Sequence, residues 1–171
     1  MAEFQSRKIQ GKYTPLTAEQ LMRIMVDNPQ MYLVTDVKSE LMSPEPVISE
    51  LARMCDWEQS VLERMIIQLY TAGEKSDIQK IYPFADEQFV FTTYKWGVWQ
   101  LEVAQICNAE NICVIAVPHG EMSDEDAALM KQLGFTVYEY TVNRADEAQA
   151  ALERGISGFY TDDLLPGDLV H

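Results

Sequence analysis

The chain has 171 residues, a length that fits one folding unit, residues 1–171, with room for a sizeable core. Hydrophobic residues at 47% and charged residues at 23% exclude a disordered or collagen-like chain. Thirteen Lys and Arg against 27 Asp and Glu leave a formal charge of −14, with no basic run, so nucleic acid and anionic membrane surfaces are poor partners.

No apolar stretch approaches the roughly 20 residues that span a bilayer. The lead-in MAEFQSRKIQGKYTP lacks the apolar centre of a secretory signal. Cys55, Cys107 and Cys113 form no CxxC pair and no Cys/His cluster. That argues against a disulfide framework and a structural zinc, and for a reducing, cytoplasmic compartment.

Thr17-Ala18-Glu19-Gln20 predicts a capping box opening a helix, with Leu21, Ile24 and Met25 at helical spacing and Asn28-Pro29 ending it. Residues 31–36 predict a strand. Ser43-Pro44-Glu45 predicts a second helix start, with Val47, Ile48, Leu51 and Met54 on one face. Residues 65–69 predict a second strand. Helices near 74–81, 98–109, 123–133 and 144–153 then alternate with strands near 88–92, 112–117, 135–140 and 157–161. Leu129, Met130 and Leu133 predict a core stripe, and the acids at 121 and 124–126 suit a helix N-terminus. Six near-continuous apolar strands alternating with helices at this spacing demand a parallel sheet covered by helices. The repeat length leaves open whether that sheet belongs to a barrel or to a doubly wound fold. No GxGxxG and no GxxxxGK[ST] supports the second.

In parallel α/β folds, chemistry collects at the carboxyl ends of strands. The first strand ends Thr35-Asp36-Val37-Lys38, with a carboxylate and a cation two residues apart and so on one face. Gln68 and Tyr70 end the second strand on one face, and Thr92-Thr93-Tyr94-Lys95-Trp96 ends the third. His119 follows the fourth strand and reads as a structural or solvated loop residue; His171 is terminal. No Ser or Cys sits in a recognisable nucleophile motif.

The closing third carries a more specific pattern: Gly134-Phe135-Thr136-Val137-Tyr138-Glu139-Tyr140-Thr141-Val142-Asn143, an Ala/Glu-rich helix, then Gly155-Ile156-Ser157-Gly158-Phe159-Tyr160-Thr161-Asp162. It resembles the last two β/α units of glycerophosphodiester phosphodiesterases, and Val34-Thr35-Asp36-Val37-Lys38 resembles that family's acid-x-Lys strand. The resemblance implies an α/β fold that is a partial (β/α)8 TIM barrel. Its six parallel strands would correspond to strands 3–8 of the family barrel. It implies metal-assisted hydrolysis of a glycerophosphodiester, with Asp36 as a ligand of Ca²⁺ or Mg²⁺. Lys38 would contact phosphate, Tyr140 the glycerol portion, and Gln68, Tyr70 and Tyr94 the substrate. The family's catalytic His pair and two further metal ligands belong to strands without a counterpart here. The expectation is therefore that this chain alone is inactive. Its unpaired strand edges would recruit a second copy or a complementing chain. The rival readings are a non-catalytic binding or assembly subunit, and an unrelated open-sheet enzyme built around Asp36, Lys38 and His119.

Overall fold

In a computed structural model of the protein, which describes residues 2–37, 43–94 and 100–169, the capping box predicted at Thr17 is closed from both sides. The Thr17 hydroxyl accepts from the Gln20 amide at 3.2 Å, and Gln20 Oε1 accepts from the Thr17 amide at 2.9 Å. The helix so started, α2 (Ala18–Asp27), follows a short α1 (Ala2–Ser6) in the lead-in. It buries Met22 and Met25, whereas Leu21 and Ile24 are only half-buried.

The remaining elements are β1 (Leu33–Thr35), α3 (Pro44–Met54), α4 (Gln59–Leu62), β2 (Met65–Leu69), α5 (Glu74–Gln79), β3 (Phe89–Thr92) and α6 (Gln100–Ala109). Then come β4 (Val114–Pro118), α7 (Asp124–Gln132), β5 (Thr136–Tyr140), α8 (Ala145–Glu153) and β6 (Gly158–Phe159). Two predicted strands shrink. Residues 31–36 reduce to a three-residue β1, and 157–161 to a two-residue β6. Both are edge strands among the described residues, with a ladder on one side only, so fewer backbone groups are held in extended register. The core stripe predicted over α7 is also narrower. Met130 is buried, but Leu129 and Leu133 are exposed, because the sheet reaches only one side of that helix.

The six described strands pair in chain order, β1-β2-β3-β4-β5-β6, and every pair is parallel. A doubly wound sheet reverses its strand order at a switch point. This one never reverses, which is the arrangement of a partial (β/α)8 barrel and settles the alternative left open above.

Sequential order also sorts the side chains. Met65, Ile67 and Leu69 of β2, Phe89 and Phe91 of β3, Ile115 and Val117 of β4 and Val137 of β5 share one core. Met22, Met25, Ile48, Leu51, Val103, Cys107, Ala127, Met130 and Ala151 of the helices complete it. The alternate residues of each strand face the opposite, inner side, where no helix lies over them. Val34 at the edge is 40% exposed and Ile66, Gln68 and Tyr138 are half-buried, whereas Val90, Thr92 and Ala116 of the central strands are buried. All three cysteines are free thiols. Among the described residues no helix is long and apolar enough to cross a membrane.

Buried cations tie the amino-terminal side of the sheet. Arg64, 8% exposed, donates to the carbonyls of Met25 (2.7 Å), Asn28 (3.0 Å), Met31 (2.6 Å) and Ser60 (2.8 Å). It closes the end of α2, the turn into β1 and the end of α4 with one guanidinium. Lys75 does the same further along, donating to the carbonyls of Glu110 and Asn111 and pairing with Asp86 at 2.6 Å. Arg64→Met keeps the stem's volume but strips four carbonyls of their donor. Unsatisfied buried acceptors cost about 1–3 kcal/mol each, relieved where water enters. We expect a loss of about 3 kcal/mol in urea unfolding with an unchanged denaturant slope; a loss below about 0.5 kcal/mol would show that the latch is not structural.

Candidate functional site

The carboxyl ends of the strands surround a cavity of about 350 Å³. Its wall comes from β1, β2, β3, β5, β6 and their exits, in one phase of the alternation: Val34 and Asp36, Gln68 and Tyr70, Thr92 and Tyr94, Tyr140, and Tyr160, with Thr141 joining from the turn after β5. Asp36, Gln68, Tyr70, Tyr94 and Tyr140, all candidates from the sequence, therefore meet in one place. Lys38 lies outside the described residues, as do Lys95, Trp96 and His171. Asp162 follows β6 but does not line the cavity; its backbone amide is held by Asn143 Oδ1 at 2.9 Å.

The wall is internally bonded. The Tyr70 hydroxyl donates to Asp36 Oδ1 in a short contact, and the Tyr70 and Tyr94 rings stack at 5.3 Å and 14°. The Thr92 hydroxyl donates to Gln68 Oε1 at 2.9 Å, and the Tyr140 hydroxyl to the Thr93 carbonyl at 2.7 Å. Tyr138 and Tyr160 pack with their rings 6.0 Å apart. Gly158 belongs to this packing, because a Cβ there would run into the Tyr138 ring.

Burial raises the tyrosine pKa values. Tyr140 is pushed up to about 12, with the neighbouring Tyr94 and Asp36 adding to the effect of burial. Tyr160 is likewise pushed up to about 12 by burial, then by Tyr138 and Asp36. Tyr70 goes higher, through burial first and its bond to Asp36 second. All three phenols are neutral at physiological pH.

Two features were missed in the sequence. Tyr160 joins the wall, and the signal for it was its place one residue beyond a strand, as with Asp36 and Tyr70. The second is a cluster behind β5. Glu139, fully buried on the helix side, accepts from Arg154 through Oε1 and meets His119 Nδ1 at 2.6 Å through Oε2. His119 is thus a partner of a buried carboxylate and does not line the cavity. A Glu in the phase of Val137 was the available signal.

The family resemblance implies a divalent cation at this site. Ca²⁺ or Mg²⁺ takes about six oxygen ligands, several of them carboxylate. Among the described residues no group of three His, Cys, Asp or Glu could hold a metal, and Asp36 is the one carboxylate in the wall. The described residues do not fit a metal centre.

No family model and no curated protein matches the sequence. Solved structures do. A protein described as a glycerophosphoryl diester phosphodiesterase from Agrobacterium tumefaciens aligns over 95% of this chain and 66% of its own, at 18% identity and TM-score 0.73. A glycerophosphodiester phosphodiesterase from Parabacteroides distasonis aligns over 94% and 66%, at 11% identity and TM-score 0.66. An Oleispira antarctica phosphodiesterase in complex with the product sn-glycerol-3-phosphate aligns over 84% and 56%, at 11% identity and TM-score 0.62. The chain shares its fold with glycerophosphodiester phosphodiesterases. It spans between half and two thirds of the length of these phosphodiesterase neighbours.

The raised phenol pKa values predict alkaline instability. In the unfolded chain these tyrosines ionise near 10, the ordinary value, whereas the folded Tyr140 and Tyr160 hold their protons to about 12. Between those limits the folded state binds more protons, so stability falls as pH rises. Spectrophotometric titration should show phenolate appearing late, together with a falling urea midpoint above pH ~10. Tyr140→Phe should remove part of that slope. Complete ionisation of all tyrosines near 10 without loss of fold would contradict the buried wall.

Proposed function

We propose that the cavity binds a glycerophosphodiester, and that the chain takes part in hydrolysing such diesters only together with groups that it does not itself place in the wall. The observation that supports this reading is the clustering of Asp36, Gln68, Tyr70, Tyr94 and Tyr140 at the carboxyl end of a barrel sheet shared with a phosphodiesterase that holds sn-glycerol-3-phosphate. In this reading Tyr140 lies against the glycerol portion, Gln68 and Tyr94 contact the substrate, and Lys38 neutralises the phosphate.

Hydrolysis needs a base to activate water, an acid for the leaving alkoxide and positive charge on the phosphoryl oxygens. Among the described residues the wall offers phenols that hold their protons and one carboxylate, with no His. General acid–base groups are worth about 10²–10⁴-fold, so their absence leaves binding without turnover. The purified 171-residue chain should bind sn-glycerol-3-phosphate in calorimetry and hydrolyse glycerophosphodiesters no faster than buffer, with or without Ca²⁺ or Mg²⁺. Tyr140→Ala should weaken the binding several-fold. Turnover by the chain alone that survives Asp36→Asn would overturn the assignment.

A second reading, an assembly subunit, draws on the inner face of the sheet. Tyr32 is 66% exposed beside the half-exposed Val34 at the β1 edge, and β1 and β6 each pair on one side only among the described residues. Exposed strand edges recruit other chains. Sedimentation should show association with itself or with a chain that supplies further strands, weakened by Val34→Lys. A monomer at every concentration, indifferent to that substitution, would remove this reading.

A further inference from the structure

We propose that this chain pairs with a second copy of itself about a two-fold axis, the lead-in of each copy lying on a groove between α2 and α3 of the other. The inference uses neither the diester reading nor the β1 edge.

The lead-in gathers apolar side chains that the chain itself does not cover. Phe4, Ile9, Tyr13 and Leu16 are 49%, 55%, 52% and 52% exposed. The segment that carries them is shaped. After α1 an antiparallel bridge joins Ile9 to Tyr13, and the Lys8 ammonium donates to Thr14 Oγ1 at 2.5 Å. Gln5 Nε2 donates to Gln20 Oε1 at 3.1 Å and ties the segment to α2. An apolar surface already held in shape binds a partner with little further loss of chain freedom.

Charge says what that partner is. Residues 1–16 hold Arg7, Lys8 and Lys12 against Glu3 alone, a balance of +2 in a chain of −14, so residues 17–171 carry −16. The complement of the lead-in is an acidic surface, whereas a body of −16 is repelled by anionic lipid and by nucleic acid. Beside the lead-in lies such a surface. A groove of about 250 Å³ between the start of α2 and α3 is lined by Ala18, Pro46, Val47, Glu50 and Leu51. Glu19 and Glu45 stand in the first turns of the same two helices. An apolar floor with acids around it matches an apolar lead-in with cations on it. The chain's own lead-in does not fill the groove, since none of its described residues lines it. The groove begins at Ala18, two residues after Leu16, so the two complementary surfaces adjoin. A two-fold axis between them seats each lead-in on the other copy's groove and closes the assembly at two chains.

Sedimentation equilibrium on the full chain tests this. A dimer should form, and its Kd should rise about tenfold between about 0.1 and 1 M salt, as the screening length falls from about 10 to 3 Å. Lys8→Glu with Lys12→Glu, and separately Glu45→Lys with Glu50→Lys, should each weaken self-association about tenfold. Mixed, these two variants should form a one-to-one heterodimer, because both contacts then pair opposite charges again. Ile9→Asp, at an exposed position, should weaken the dimer at either salt, and Val34→Lys should leave it unchanged. A monomer at every concentration overturns the inference. So does a dimer that Val34→Lys weakens and the lead-in variants do not, which places the contact at the β1 edge. Charge variants that weaken the dimer and fail to recombine also overturn it, since the lead-in then meets another surface. Binding of the full chain to phosphatidylserine vesicles, lost with Lys8→Glu and Lys12→Glu, would assign the lead-in to a lipid surface and overturn it as well.

Discussion

A parallel sheet whose strands follow one another in chain order can be covered by its own connections on one face only. Each crossover helix returns over the same side, so the strand residues of one phase are sealed beneath helices and those of the other phase are not. Every other property of this chain follows from that division. Ile67, Leu69, Phe89, Phe91, Ile115 and Val117 make the core; Val34, Gln68, Thr92 and Tyr140 make the inner wall. A closed barrel fills its inner side with layers of side chains from eight strands. With six described strands that side stays partly open, and the cavity at its carboxyl end is where the phases meet solvent.

The two ends of the sheet are built from different chemistry. At the amino-terminal end, cations are spent on backbone carbonyls: Arg64 on four of them and Lys75 on two, with Gln88 adding bonds to Leu62 and Met65. These bonds hold helix ends and strand entries, and nothing in them is left to engage a ligand. At the carboxyl end, Glu139 bonded to Arg154 and His119 anchors β4 against β5 from behind, and the front is given over to tyrosines. Separating the latches from the wall lets the wall vary without unfolding the sheet.

The alternation of helix and strand was legible because each strand is a short apolar run bounded by polar or glycine positions, and strand-end residues could be picked out by phase alone. That was enough for Asp36, Gln68, Tyr70 and Tyr94, whereas Tyr140 came from the resemblance. The barrel was not legible from spacing, since strand order is a property of long-range pairing; the resemblance supplied it. Helices as short as α1 and α4 carry too few turns for a periodic signal. The exposure of Leu129 and Leu133 could not be read either, because apolar spacing marks a face and does not say how wide a surface will cover it. Glu139 was hidden for a physical reason of another kind. A buried carboxylate is stable only beside its partners, and Arg154 lies 15 residues away while His119 lies 20 away.

The electrostatics of the rim follow from the same topology. After each strand the chain turns and enters a helix, so helix N-termini gather at the carboxyl end of the sheet, and their partial positive charge could hold a phosphate. Here those ends are already answered from within. Asp124, Glu125 and Asp126 occupy the first turn of α7, Asp146 and Glu147 that of α8, and Glu74 and Asp77 that of α5, where the Glu74 carboxylate also takes the amides of Tyr70 and Thr71. Carboxylates placed there answer the partial positive charge of those helix ends. An anionic group entering the cavity would therefore have to be met by a cationic side chain rather than by backbone amides, which is the role the resemblance assigns to Lys38.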